Sequence, residues 1–185
     1  WPISGSKART EAEHERSEGG LQVEALTERR ETLQEAMNFL GAISSGIEDA
    51  VGESASGISY VAGKELGKRF AKGATKTDDL HKALEQVRKI LIDNQCYMQF
   101  EAFQPSDRPT MVQKTPEGEE ILLVFRDCMI RQTLFLYGHN QKGSLCNMLF
   151  GFFAGAVEAI MGRQSTLEVL HAGENACLKR LLILR

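Results

Sequence analysis

The stretch Gly143–Arg185 reads GSLCNMLFGFFAGAVEAIMGRQSTLEVLHAGENACLKRLLILR and holds the longest apolar run in the chain. Ser144 to Met161 predicts a helix, closed by Gly162. A strand is expected over Ser165 to His171, then a turn at Gly173-Glu174-Asn175, then a last strand over Leu178 to Leu184. Gly151, Ala154 and Gly155 leave a smooth strip on the helix, where another backbone can come close. The unit is therefore expected to be a buried helix laid on an antiparallel hairpin. Leu145 to Met161, about 17 residues, is at the lower limit for crossing a bilayer, and Asn147 and Glu158 interrupt it. A core helix fits it better than a membrane span.

Working outward, Met129 to Tyr137 and Ile121 to Phe125 are apolar enough for two more strands, and Cys96 to Phe103 alternates as a half-buried strand does. Pro105, Pro109 and the turn Pro116-Glu117-Gly118 bracket a hairpin region. Leu80, Leu84, Val87, Ile90 and Leu91 form one stripe of a helix running to about Asn94, with Thr77-Asp78-Asp79 as its cap and acidic first turn. His81 falls off that stripe among charges, as a solvated histidine. Gly46 to Lys72 carries five glycines among apolar residues. At about 1 kcal/mol each, such glycines need close packing to support a helix. Gly63 and Gly67 lie one turn apart and would admit a neighbouring helix. The fold class expected is α+β, an antiparallel sheet of four to five strands with three to four helices packed on it.

The N-terminal segment differs from the rest. Residues 1 to about 18 are polar and, taken alone, should be disordered, whereas Leu21 to Leu40 has apolar residues near helical spacing. The expected organisation is a charged extension over 1–33, partly disordered or a partner-binding helix, and a single α+β domain over 34–185. A surface helix of the chain's own domain is the alternative to a helix that holds a protein partner.

Composition excludes some function classes. Hydrophobic residues make up 42% and charged residues 25%, ordinary values for a globular domain. A net charge of -3 gives no electrostatic case for a nucleic-acid partner. Cysteines at 96, 128, 146 and 177 form no CxxC pair and read as free thiols of an intracellular protein, with a disulfide or a shared metal site as alternatives. The first 20 residues have no apolar run of the kind a secretory signal needs. A start at Trp1-Pro2 without methionine suggests a processed or partial chain.

The order Leu145-Cys146, Gly151 and Gly155 in an apolar helix, Gly162-Arg163, then Glu168, Gly173 and Cys177 resembles the 4-vinyl reductase domain. That family shares its fold with TRAPP-type vesicle-tethering subunits and is loosely related to haem nitric-oxide-binding domains. The resemblance is best over Cys128 to Ile183 and does not cover the first 33 or so residues. It implies a first long helix near a dimer interface, and so a homodimer through Gly63 and Gly67, with packing inside the chain as the alternative. It also implies a small hydrophobic ligand, such as a tetrapyrrole precursor, an aromatic compound or a lipid, and a role in photosynthetic complex assembly. A cytoplasmic or plastid stromal location, peripheral to a photosynthetic membrane, goes with that.

Sensors similar to this family bind zinc through a glutamate and cysteines at the equivalent hairpin. Here Cys177 matches the last cysteine, but the earlier cysteine falls on Val169 and the glutamate on Thr166. His171 would complete a zinc site with Cys177 only if the turn moved it, so zinc is not expected. His139, in the loop ahead of the apolar helix, is the candidate axial ligand for a haem or chlorophyll, against an ordinary surface histidine. Arg126, Asp127 and Arg131, if inward, must be paired with each other or with a ligand carboxylate. Phe125, Met129, Phe135, Cys146, Phe150 and Phe153 are the candidate lining of an apolar pocket, with core packing as the alternative.

No nucleophile-and-base motif, P-loop, HExxH or dinucleotide fingerprint is legible, so an enzyme is not the first expectation. The leading expectation is a non-enzymatic module that binds a small hydrophobic ligand, a partner complex, or both. A structural accessory subunit held by its extension is the alternative, and a zinc-dependent sensor or vinyl-reductase-type enzyme the third.

Overall fold

The computed structural model describes the backbone of residues 7–94, 96, 98–136, 138, 141–173 and 175–185. The chain divides into two compact units, Trp1–Ala36 and Met37–Arg185. Helix α1, Lys7–Val51, reaches past the expected Leu21–Leu40 in both directions, and its residues from Met37 belong to the second unit. Gly52, in the left-handed region at φ +62°, ends α1 and separates it from α2, Ser54–Phe70, where the sequence suggested one continuous helix.

A short 3-10 turn at Ala71–Gly73 leads to α3, Leu80–Asp93, capped by the Asp79 carboxylate, which accepts from the backbone N–H groups of His81 and Lys82. Strands β1, Gln99–Phe103, β2, Val112–Lys114, and β3, Gly118–Arg126, follow. Then come α4, Met129–Leu136, α5, Ser144–Met161, β4, Ser165–Ala172, and β5, Ala176–Leu184. The expected strand over Met129–Tyr137 is thus a helix as far as Leu136. Met129, Ile130, Thr133 and Leu134 recur at helical spacing, which a short apolar run does not separate from strand alternation.

The sheet is antiparallel, in the order β1-β3-β5-β4, with β2 also paired to β3. Ile121, Leu123 and Phe125 of β3 and Cys177, Lys179, Leu181 and Ile183 of β5 are buried on the face toward the helices. The fold is α+β, as the sequence indicated. α5 lies on this face and is apolar nearly all round, because α2 covers its other side. It is the one helix among the described residues long and apolar enough to cross a membrane, and 67% of it is buried inside the domain.

The α2–α5 contact explains the glycines. A Cβ on Gly63 would sit 1.9 Å from the Met148 carbonyl oxygen, and one on Gly67 would sit 2.1 Å from that of Phe152. Reciprocally, a Cβ on Gly151 or Gly155 would lie 2.0 Å from the carbonyl oxygens of Tyr60 and Lys64. The two smooth strips face each other inside one chain. The Gly63/Gly67 face is therefore covered by α5 and is not open to a second copy. Lys64 and Lys68 flank the seam, at 2.8 and 3.3 Å from the Glu158 carboxylate. The hydrogen bond from Lys64 holds the Glu158 carboxyl below the usual range and raises the Lys64 amine.

At its start, α5 is held by α1: the Glu48 Oε1 accepts from the Ser144 backbone N–H at 2.5 Å and from its hydroxyl at 2.6 Å, and Ser44 meets the same hydroxyl. A carboxylate there satisfies a free N–H and complements the helix dipole. At the other end Gly162, at φ +69°, returns its N–H to the Glu158 carbonyl.

Candidate functional site

β5 carries one charged residue on its inward face. Cys177, Lys179, Leu181 and Ile183 alternate toward the helices, while Arg180 points the other way and meets Glu120 at 3.4 Å and Glu168. Lys179 is 2% exposed. Its Nζ lies 4.1 Å from the ring centroid of Phe125 and 5.2 Å from that of Phe150, close enough for cation–π attraction. Burial pushes the Lys179 amine below the ordinary lysine range.

Lys179 opens into a small cavity where the start of α4, the start of α5 and the β4–β5 hairpin meet. Its walls are Cys128 and Arg131 of α4 and the residue before it, Gln141, Lys142 and Cys146 at the entrance to α5, and Val169, Ala172 and Cys177 of the hairpin. The volume is about 10 Å³, room for roughly one water. Burial raises the Cys146 and Cys177 thiols, the nearby Lys179 opposing it in part, so they remain protonated, soft walls. The Arg131 guanidinium donates through Nη1 to the Gly173 carbonyl at 3.3 Å, tying α4 to the hairpin turn. Exposed Lys142 and half-buried Gln141 form the outer wall with long side chains that can swing outward.

A second, larger space of about 430 Å³ is an open groove between Phe70, Gly73, Ala74 and Thr75 and the Gln86, Lys89, Ile90 and Asp93 side of α3. Gln86 already bridges it to the Thr75 carbonyl at 2.7 Å. It holds no buried charge and no thiol. The smaller cavity is the better candidate because its polar group is desolvated and aimed inward.

The candidate pocket residues divide. Cys146 lines the cavity. Phe125 and Phe150 lie beneath it, against Lys179. Phe153 is fully buried in an aromatic cluster, 5.3 Å from Phe125 and 5.2 Å from Phe100 by ring centroids. Met129 is half-buried at the start of α4 and does not line the cavity. Phe135 is 56% exposed, because α4 turns it outward where the expected strand would have buried it. Of the candidate metal pair, Cys177 lines the cavity, while His171 is exposed on β4 beside a bulge between Val169 and His171. Among the described residues no group of three or more His, Cys, Asp or Glu is arranged to hold a metal, although all four cysteines are free thiols. His139 lies outside the described residues. Arg126 forms a surface pair with Glu101 at 2.9 Å.

Lys179 was not singled out from the sequence. The signal was present: if Cys177, Leu181 and Ile183 face the core, strand parity forces Lys179 inward.

No family model matches the chain, and no curated protein matches it in sequence. Neither comparison supplies evidence for the 4-vinyl reductase domain that the sequence resembles. Among solved structures, the phenol-responsive sensory domain of the transcription activator PoxR, crystallised with phenol, is similar in fold. Its TM-score is 0.58 at 16% sequence identity, covering 79% of this chain and 74% of that one. The chain shares its fold with a ligand-binding sensory domain.

Proposed function

We propose that this chain is a non-enzymatic module that binds one small hydrophobic molecule, with an aromatic compound as the ligand class, in the cavity around Lys179. The observation that carries the reading is an interior space walled by thiols and aliphatic carbons around one desolvated amine. Support comes from the neighbouring fold, whose ligand is phenol. At about 10 Å³ the cavity as it stands has room for roughly one water, so even a one-ring ligand requires Lys142 and Gln141 to swing outward, and a tetrapyrrole is disfavoured. A role in photosynthetic complex assembly has no support in this geometry. Native mass spectrometry of the full chain, titrated with phenol and related one-ring compounds, tests the proposal. A single saturable non-covalent adduct is expected, with a matching rise in melting temperature. No adduct and no shift with any one-ring compound at millimolar concentration would reject it.

A second reading concerns a partner, and here the proposal is a second copy of the chain. Phe39, Leu40, Ile43, Ile47 and Val51 of α1 and Ile58 and Val61 of α2 are all exposed, Phe39 by 75% and Ile58 by 62%. Seven large apolar side chains exposed along two consecutive helices are more than the scattered single hydrophobics of an ordinary monomer surface. A self-complementary pairing of this stripe would bury it without using the Gly63/Gly67 seam. Light scattering after size exclusion should give a dimer for the natural chain and a monomer for Ile43→Glu. A monomeric natural chain at micromolar concentration would end this reading.

A further inference from the structure

Lys179 and Arg180 sit side by side on β5, and their surroundings differ in kind. Arg180 faces outward to two carboxylates, Glu120 and Glu168. Lys179 faces inward, and among the described residues no carboxylate reaches it. Among the described residues, the rings of Phe125 and Phe150 lie against its charge. Aromatic faces recover part of what an ammonium loses on leaving water, and an anion would recover much more. The Cys146 and Cys177 thiols, raised by burial, do not supply one.

The rest of the wall has the same sign. Arg131 and Lys142 line the same cavity, and no acidic side chain lines it among the described residues. The buried Lys179 ammonium makes the space complementary to a single negative charge.

We infer that the cavity selects ligands that carry a carboxylate, held from within by Lys179, with the ligand's apolar body against the thiol and aliphatic walls. This rests on the ligand-binding reading given above and specifies its head group. Binding is an ion pairing with no bond made or broken. The anion enters as Lys142 and Gln141 swing outward, and Lys179 is protonated in the complex whatever its state before.

Calorimetric titration of the full chain at pH 7 with benzoate, benzamide and phenol tests this, because the three share one ring and only benzoate is charged. Benzoate is expected to bind at least tenfold tighter than benzamide or phenol, and Lys179→Met should erase that preference while still melting cooperatively. Benzamide or phenol binding as tightly as benzoate would overturn the carboxylate and leave a small-aromatic module standing. No binding by any of the three would overturn both. A Lys179→Met variant that keeps the tenfold preference would remove Lys179 from the site. Should that variant fail to fold, the comparison of benzoate with benzamide on the natural chain decides alone.

Discussion

Gly63→Ala is expected to remove a large share of the stability of the domain, although it adds a single methyl group. The new carbon would fall 1.9 Å from the Met148 carbonyl oxygen and 2.8 Å from the carbonyl carbon, where real side chains do not come nearer than 3.0 Å. The obstacle is backbone of α5, which has no rotamer to change, so the two helices must part by about an ångström along their shared seam. That separation also lifts α5 from Gly67, Gly151 and Gly155, each of which depends on the same approach. Overpacking of this kind belongs to the severe end of single substitutions, about 3 kcal/mol or more, against a total of about 5–15 kcal/mol. Gly57→Ala is the control on the same helix. Nothing lies within 4 Å of its added carbon, and a helical glycine replaced by alanine should gain roughly 0.5–1 kcal/mol. Urea unfolding followed by circular dichroism should therefore move the midpoint in opposite directions for the two variants. Equal midpoints for Gly63→Ala and the natural chain would mean that α2 and α5 do not touch here.

These glycines also show how far the sequence carries. Gly63 with Gly67, and Gly151 with Gly155, are spaced one turn apart, so each helix announces a face that a backbone can approach. Nothing in either spacing says which backbone arrives. The resemblance to dimeric families pointed to another copy, and the answer was the other helix of the same chain. The limits of α5 were legible to the residue because Gly162 stops it with a left-handed cap. The limits of α4 were not. Met129 to Leu136 is eight residues rich in β-branched and aromatic side chains, and over so short a run the two periodicities fit equally well. That ambiguity misplaced Phe135 along with the element.

Lys179 was missed for a different reason. Two adjacent cations on a strand look like a solvated edge, yet a strand must turn one of them inward. Most of the aromatic residues expected to line a pocket fill the core, as large apolar side chains usually do. The site lies where the apolar pattern is broken, at a charge among thiols.

Lys179→Met is expected to raise stability near neutral pH by about 1–3 kcal/mol, or roughly 3–10 °C in melting temperature, because it keeps the buried stem and removes an unpaired buried ammonium. The gain should depend on pH in a defined direction. Burial puts the Lys179 amine below the 10.5 at which an ordinary lysine titrates. Between those two values the unfolded chain holds a proton that the folded chain lacks, so stability rises with pH across that window. Below the lowered value both states are protonated and the penalty is complete; above 10.5 neither is, and it is gone. The advantage of Lys179→Met should therefore be largest near neutrality and shrink as the pH approaches 10.5. Cys128, Cys146, Cys177, Arg131 and Lys142 face the same cavity. Burial raises Cys146 and Cys177, which makes the folded state lose stability with pH, but they are present in both proteins and largely cancel in the difference. Melting curves of the two proteins at several pH values between 7 and 10.5 measure that difference directly. A constant gap would mean that Lys179 keeps its proton over the whole range. A natural chain more stable than the variant at pH 7 would mean that the Phe125 and Phe150 rings more than repay the lost hydration of the ammonium.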